Sequence, residues 1–142
     1  MAGYSGTPLP AKLGLGPGQR LAFSEAPDGF VASLEPFPPG ARVTSRGAFD
    51  VGVFFVRSAR ELAAALARAQ PRLDPDGALW IGWPKKASGI RTDVGEDAVR
   101  AAALARGLVD VKVCAIDETW SGLKLVVRVK DRPAAYSRPR SR

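Results

Sequence analysis

Phe49-Asp50-Val51-Gly52-Val53-Phe54-Phe55-Val56 is the stretch that decides the fold. It is an almost continuous apolar run without polar alternation, which is what a central parallel strand covered on both faces requires. A helix should follow directly. Ser58 is a good N-cap, and Glu61 three positions later closes a capping box. Leu62, Leu66 and Ala69 fall on one helical face before Pro71 stops the run. Leu73-Asp74-Pro75-Asp76-Gly77 predicts a turn, and Ala78-Leu79-Trp80-Ile81-Gly82-Trp83 the next buried strand. Strand, helix and strand form one parallel unit.

Downstream, Pro84-Lys85-Lys86 breaks the strand. Thr92 or Asp93 is positioned to cap a helix running to about Arg106, with Val94, Ala98, Ala101, Ala102 and Ala105 near one face and Gly107 as its stop. Val109 to Ile116 and Leu123 to Lys130 are two further strands. Too few residues separate them for a parallel crossover, so they should pair antiparallel. Upstream, Gln19 to Phe23 alternates as a short strand does, and Ser24-Glu25-Ala26-Pro27-Asp28-Gly29 ends it. A brief helix over Phe30 to Leu34 and a weak strand over Ala41 to Thr44 flank Pro36, Pro38 and Pro39. The pattern predicts an α/β fold with one domain over residues 1–131. Its N-terminal arm, 1–18, wraps the domain, and a basic tail, 132–142, follows.

With 142 residues, 46% apolar and 25% charged, the composition is that of a globular chain able to bury one core. The longest apolar runs fall short of the roughly 20 residues a membrane span needs, and no leader pattern opens the sequence, so the expected location is cytoplasmic. The lone Cys114 cannot form an internal disulfide and reads as a buried strand thiol. No histidine is present, which removes the commonest zinc ligand and the usual general base of hydrolytic triads. The net charge of +7 is concentrated at one end, because residues 132–142 hold Arg132, Arg138, Arg140 and Arg142 and no acid. Such a tail lacks the apolar surface to fold and offers weak phosphate contacts to nucleic acid.

Parallel strand–helix units ending in an antiparallel hairpin resemble the class I S-adenosylmethionine-dependent methyltransferases. Phe49 to Val56 is similar to that fold's fourth strand, Leu73 to Ile81 to its fifth, and Ala103 to Val111 to its last helix and sixth strand. The resemblance implies a three-layer, mostly parallel Rossmann-like sheet. Tyr4-Ser5-Gly6-Thr7-Pro8-Leu9, Lys12-Leu13-Gly14, Trp83-Pro84-Lys85-Lys86 and Trp120-Ser121-Gly122-Leu123-Lys124 also resemble a family of small bacterial proteins of unknown function. The methyltransferase fold needs a glycine-rich turn after its first strand, so that backbone amides can approach the cofactor. Here Ser24 to Gly29 offers one glycine, a proline without an amide and two carboxylates, and Thr44-Ser45-Arg46-Gly47 shows no ribose-binding acid. The expectation is therefore no bound cofactor, no metal and no catalytic residues.

Ligands of open parallel sheets collect at the carboxyl ends of the strands. That edge should carry Glu25 and Asp28, then Arg57, then Trp83, Lys85 and Lys86, then Asp117 and Trp120. Glu25 and Asp28 also suit capping of the helix after them. Trp83 and Trp120, near strand ends, are placed to expose an indole edge, and the two lysines suit a small anionic ligand. The leading expectation is a non-catalytic domain that binds a protein partner or a small anionic ligand at this edge. Its rivals are a methyltransferase with an atypical cofactor loop and nucleic-acid binding through the tail.

Overall fold

The computed structural model describes residues 7–132. Tyr4-Ser5-Gly6 of the arm and the basic stretch 133–142 lie outside the described residues. Six strands form one sheet: β1 (Arg20–Ser24), β2 (Arg42–Val43), β3 (Phe49–Phe55), β4 (Leu73–Pro84), β5 (Leu108–Ala115) and β6 (Trp120–Val127). Their spatial order is β2-β1-β3-β4-β6-β5. The first four are mutually parallel, and β6 runs antiparallel to both β4 and β5. All seven residues of β3 are buried, as a strand covered on both faces requires.

One face carries α2 (Ala59–Ala69) and α3 (Glu96–Ala105). Leu62, Leu66, Ala69, Val99 and Ala103 pack there with Phe54, Leu79, Ile81 and Trp83. Ser58 caps α2 by accepting the Glu61 amide at 3.1 Å, while the Glu61 carboxylate accepts the Arg57 amide at 2.6 Å. The first bond satisfies an amide that the opening helical turn leaves unpaired, and the second ties down the residue before the cap. The other face is thinner, covered by α1 (Leu9–Leu13), a single 3₁₀ turn over Ala32–Leu34 and loops. Its core joins Leu13, Leu15, Phe30 and Leu34 to Val53, Phe55, Trp80 and Trp120.

Four expectations need correction. The 73–77 turn is absorbed into β4: Phe49 pairs with Leu73 and Val51 with Ala78, so the intervening residues bulge opposite Asp50. Glycine is required at 77, since a Cβ there would lie 2.4 Å from the Asp50 carbonyl oxygen. The α3 helix begins at Glu96 with Gly95 before it. Thr92 and Asp93 serve α2 instead. The Thr92 hydroxyl donates to the Arg57 carbonyl at 2.7 Å, and the Asp93 carboxylate accepts the Ala59 amide at 2.9 Å. The buried face is Val99 and Ala103, while Ala98, Ala101 and Ala105 are exposed, because packing against the sheet rather than alanine spacing sets which side of α3 turns inward. Finally, no helix follows Gly29, only the 3₁₀ turn, and no side chain caps it, so Glu25 and Asp28 do not act there.

Candidate functional site

From β1 the chain passes to β2 on one side, and β3 then returns to the other, so the strand order reverses between β1 and β3. At such a switch point the carboxyl ends diverge and leave a crevice. Here that position is occupied by a row of aromatic rings. Phe23 at the end of β1 meets Phe30 edge-on at 5.6 Å, Phe30 meets Phe55 of β3 at 5.1 Å, and Phe55 meets Trp120 of β6 at 5.2 Å. Edge-to-face contacts at these spacings are favourable beyond the area they bury. Phe30 is 3% exposed, so its ring fills the space between the two strand ends.

The loop that brings Phe30 there turns at Glu25, which has φ 57°. This left-handed conformation suits glycine and costs a side-chain-bearing residue about 1–2 kcal/mol. The Glu25 and Asp28 side chains are exposed. Beside the loop, Leu9, Asp28, Phe30, Ser33, Ile116 and Asp117 line a concavity of about 300 Å³.

The remaining candidates fall into three places. Arg57 lays its guanidinium over the Trp120 ring, 5.2 Å from its centroid. Trp120 is itself buried, and its amide and that of Thr119 both donate to Asp117 Oδ1 at 2.8 Å. Lys85 continues the β4–β6 ladder, its amide donating to the Thr119 carbonyl at 2.8 Å, with Lys86 exposed beside it. Trp83 belongs to the helix-covered face, away from Trp120. The structure thus brings Asp28 to Asp117 and Arg57 to Trp120, but it separates Trp83 from both. The expected open indole edges are absent: Trp83 is buried in the core under the helices and Trp120 in the core of the thin face.

Sequence reasoning missed the residues that shape this edge most. The sequence places Phe23 and Phe55 on strands and Phe30 at the start of a brief helix, with nothing to show that the three rings meet. Arg68 of α2 reaches across to donate to the Ser24 hydroxyl at 3.1 Å and lies over the Phe54 ring. That contact joins residues 44 positions apart, and no local spacing signals it.

A family model for proteins of unknown function, DUF3052, matches residues 43–129. The chain belongs to the DUF3052 family. Two of the motifs read above, Trp83 to Lys86 and Trp120 to Lys124, fall inside that match, and the N-terminal motif precedes it. No curated protein sequence matches this DUF3052 chain. Among solved structures it is similar to TrmN from Thermus thermophilus, at 11% identity and a TM-score of 0.60, over 84% of this chain and 47% of that one. It is similar to the mitomycin 7-O-methyltransferase MmcR, at 11% identity and a TM-score of 0.58, over 78% and 49%. The third is magnesium protoporphyrin IX methyltransferase from Synechocystis PCC 6803 with bound SAH, at 12% identity and a TM-score of 0.55, over 79% and 75%. The DUF3052 chain spans about half the length of the first two. At these identities the likeness is one of fold: a methyltransferase-like, Rossmann-type α/β domain. No helix among the described residues is long and apolar enough to cross a membrane.

Proposed function

We propose that this chain is a non-catalytic, methyltransferase-like binding domain that holds a protein partner or small anionic ligand at the carboxyl edge of its sheet. The observation that carries the reading is the aromatic row of Phe23, Phe30, Phe55 and Trp120, which occupies the crevice at the switch point. The residues present do not fit S-adenosylmethionine there. Pro27 has no amide to offer, the left-handed turn falls on a glutamate, and the buried Phe30 ring takes up space at the switch point, where ligands of open sheets collect. Arg57, Lys85 and Lys86 supply the cations for an anionic ligand at the ends of β3 and β4.

Thermal-shift titration tests both halves, since a ligand that binds only the folded state raises the melting temperature. S-adenosylmethionine and S-adenosylhomocysteine should leave it unchanged at millimolar concentration. A nucleotide or small dicarboxylate that raises it should lose that effect in Lys85→Ala/Lys86→Ala. A shift with the methyl-donor pair would overturn the reading and make this protein an enzyme to assay.

A further inference from the structure

A different surface carries a second kind of partner. On the thin face of the β5–β6 hairpin, Lys112 and Lys124 are directly paired across the two strands. Lys124 in turn sits opposite Trp80 of β4, which anchors that face. Directly opposed like charges on neighbouring strands destabilise a sheet. Among the described residues no carboxylate lies within 4 Å of either ammonium, so neither charge is paired off by an acid there. Asp110, the nearest acid in sequence, is engaged by Arg100 of α3.

A third cation joins them. Lys12 of α1 donates to the Ala115 carbonyl at 2.8 Å, and the Lys124 ammonium reaches the end of the same helix, 3.7 Å from where a Cβ on Gly14 would stand. Cys114 lies within reach of the Lys12 and Lys112 charges. Burial raises its thiol pKa, and the charges of Lys12 and Lys112 oppose that rise.

We propose that Lys112, Lys124 and Lys12 form a contact strip for the phosphate backbone of a nucleic acid. A single small anion on such an open sheet surface is held weakly, because water and salt screen it. A polyanion meets several ammoniums at once and gains by releasing its counterions. This strip belongs to the folded domain and is independent of the arginine tail and of the carboxyl-edge reading.

The test is fluorescence anisotropy of the full chain with a labelled single-stranded RNA 20-mer across a salt series. Lys112→Gln/Lys124→Gln should bind at least about tenfold more weakly, and its plot of log K against log salt should flatten by about 1.4, at about 0.7 per lost phosphate contact. The same variant should melt no lower than the wild type, which separates lost binding from lost folding. In Arg138→Gln/Arg140→Gln/Arg142→Gln the effect of the lysine pair should persist. Bound RNA should also slow alkylation of Cys114 by iodoacetamide, by covering the thiol and cancelling the lysine charges. The proposal is overturned if the full chain does not bind RNA, if the lysine variant binds like the wild type, if the tail variant abolishes binding, or if bound RNA leaves the Cys114 rate unchanged.

Discussion

The two faces of the sheet are built by different means. The helix-covered face follows local rules: a capped α2 and an α3 that ends at Gly107 set Leu62, Leu66, Val99 and Ala103 against the strands. The thin face has no comparable helix. It is closed by single side chains reaching across the chain, among them the Trp80 indole, which donates to the Leu13 carbonyl at 3.0 Å across 67 positions of sequence. Where helices cover the sheet, the surface is ordinary. Where they do not, rings fill the switch point and lysines line the open hairpin. The residues on which the two proposals rest therefore collect on the thin face and the edge above it.

The largest test of this contrast is Trp80→Ala. A fully buried tryptophan lost to a cavity should cost about 3–5 kcal/mol, and the Leu13 carbonyl loses its partner as well. Urea denaturation measures this, and limited proteolysis should show cleavage near residues 9–15 before global unfolding. A cost below about 1 kcal/mol would mean that the thin face is not part of the cooperative core.

Ser58→Ala probes the opposite face. Loss of the α2 cap should cost about 1 kcal/mol and leave the thin face untouched, so Cys114 alkylation under native conditions should stay at the wild-type rate. A faster thiol reaction would show that the two faces are coupled rather than separately built.

Glu25→Gly, at the carboxyl edge, relieves the left-handed conformation but frees the unfolded chain, so a net gain of about 1 kcal/mol or less is expected. A lower melting temperature would show that the Glu25 side chain makes a stabilising contact.

The smallest effect belongs to Asp110→Asn. Arg100 bonds to Asp110 and holds its carboxyl below the ordinary range, which ties α3 to β5. Because the folded value is depressed, the stabilisation is present at neutral pH and fades as pH falls through that value. The variant should melt slightly below the wild type at pH 7, and the gap should close as the pH falls below the depressed folded value. A gap that persists in acid would assign the effect to packing instead of charge.

Much of the helix-covered face was legible in the sequence. The Phe49 run, the Ser58 and Glu61 pair and the Gly107 stop each express a rule that operates within a few residues. The start of α3 was misread because Thr92 and Asp93 are good cap residues whose side chains bond to Arg57 and Ala59, partners more than 30 positions away. Among the site candidates, the pairing of Arg57 with Trp120 and of Asp28 with Asp117 depends on strand order. Residue type alone carries no record of that order.

The sequence by itself determined the fold class, the parallel core, the closing hairpin and the absence of histidine chemistry, because periodicity, caps and composition are properties of short segments. Tertiary structure alone decided that Phe30 would fill the switch point, that Trp83 and Trp120 would lie on opposite faces, and that Lys112 would face Lys124. These outcomes rest on register and on which strands become neighbours. Both are settled by how the whole core packs, across separations over which local sequence has no preference.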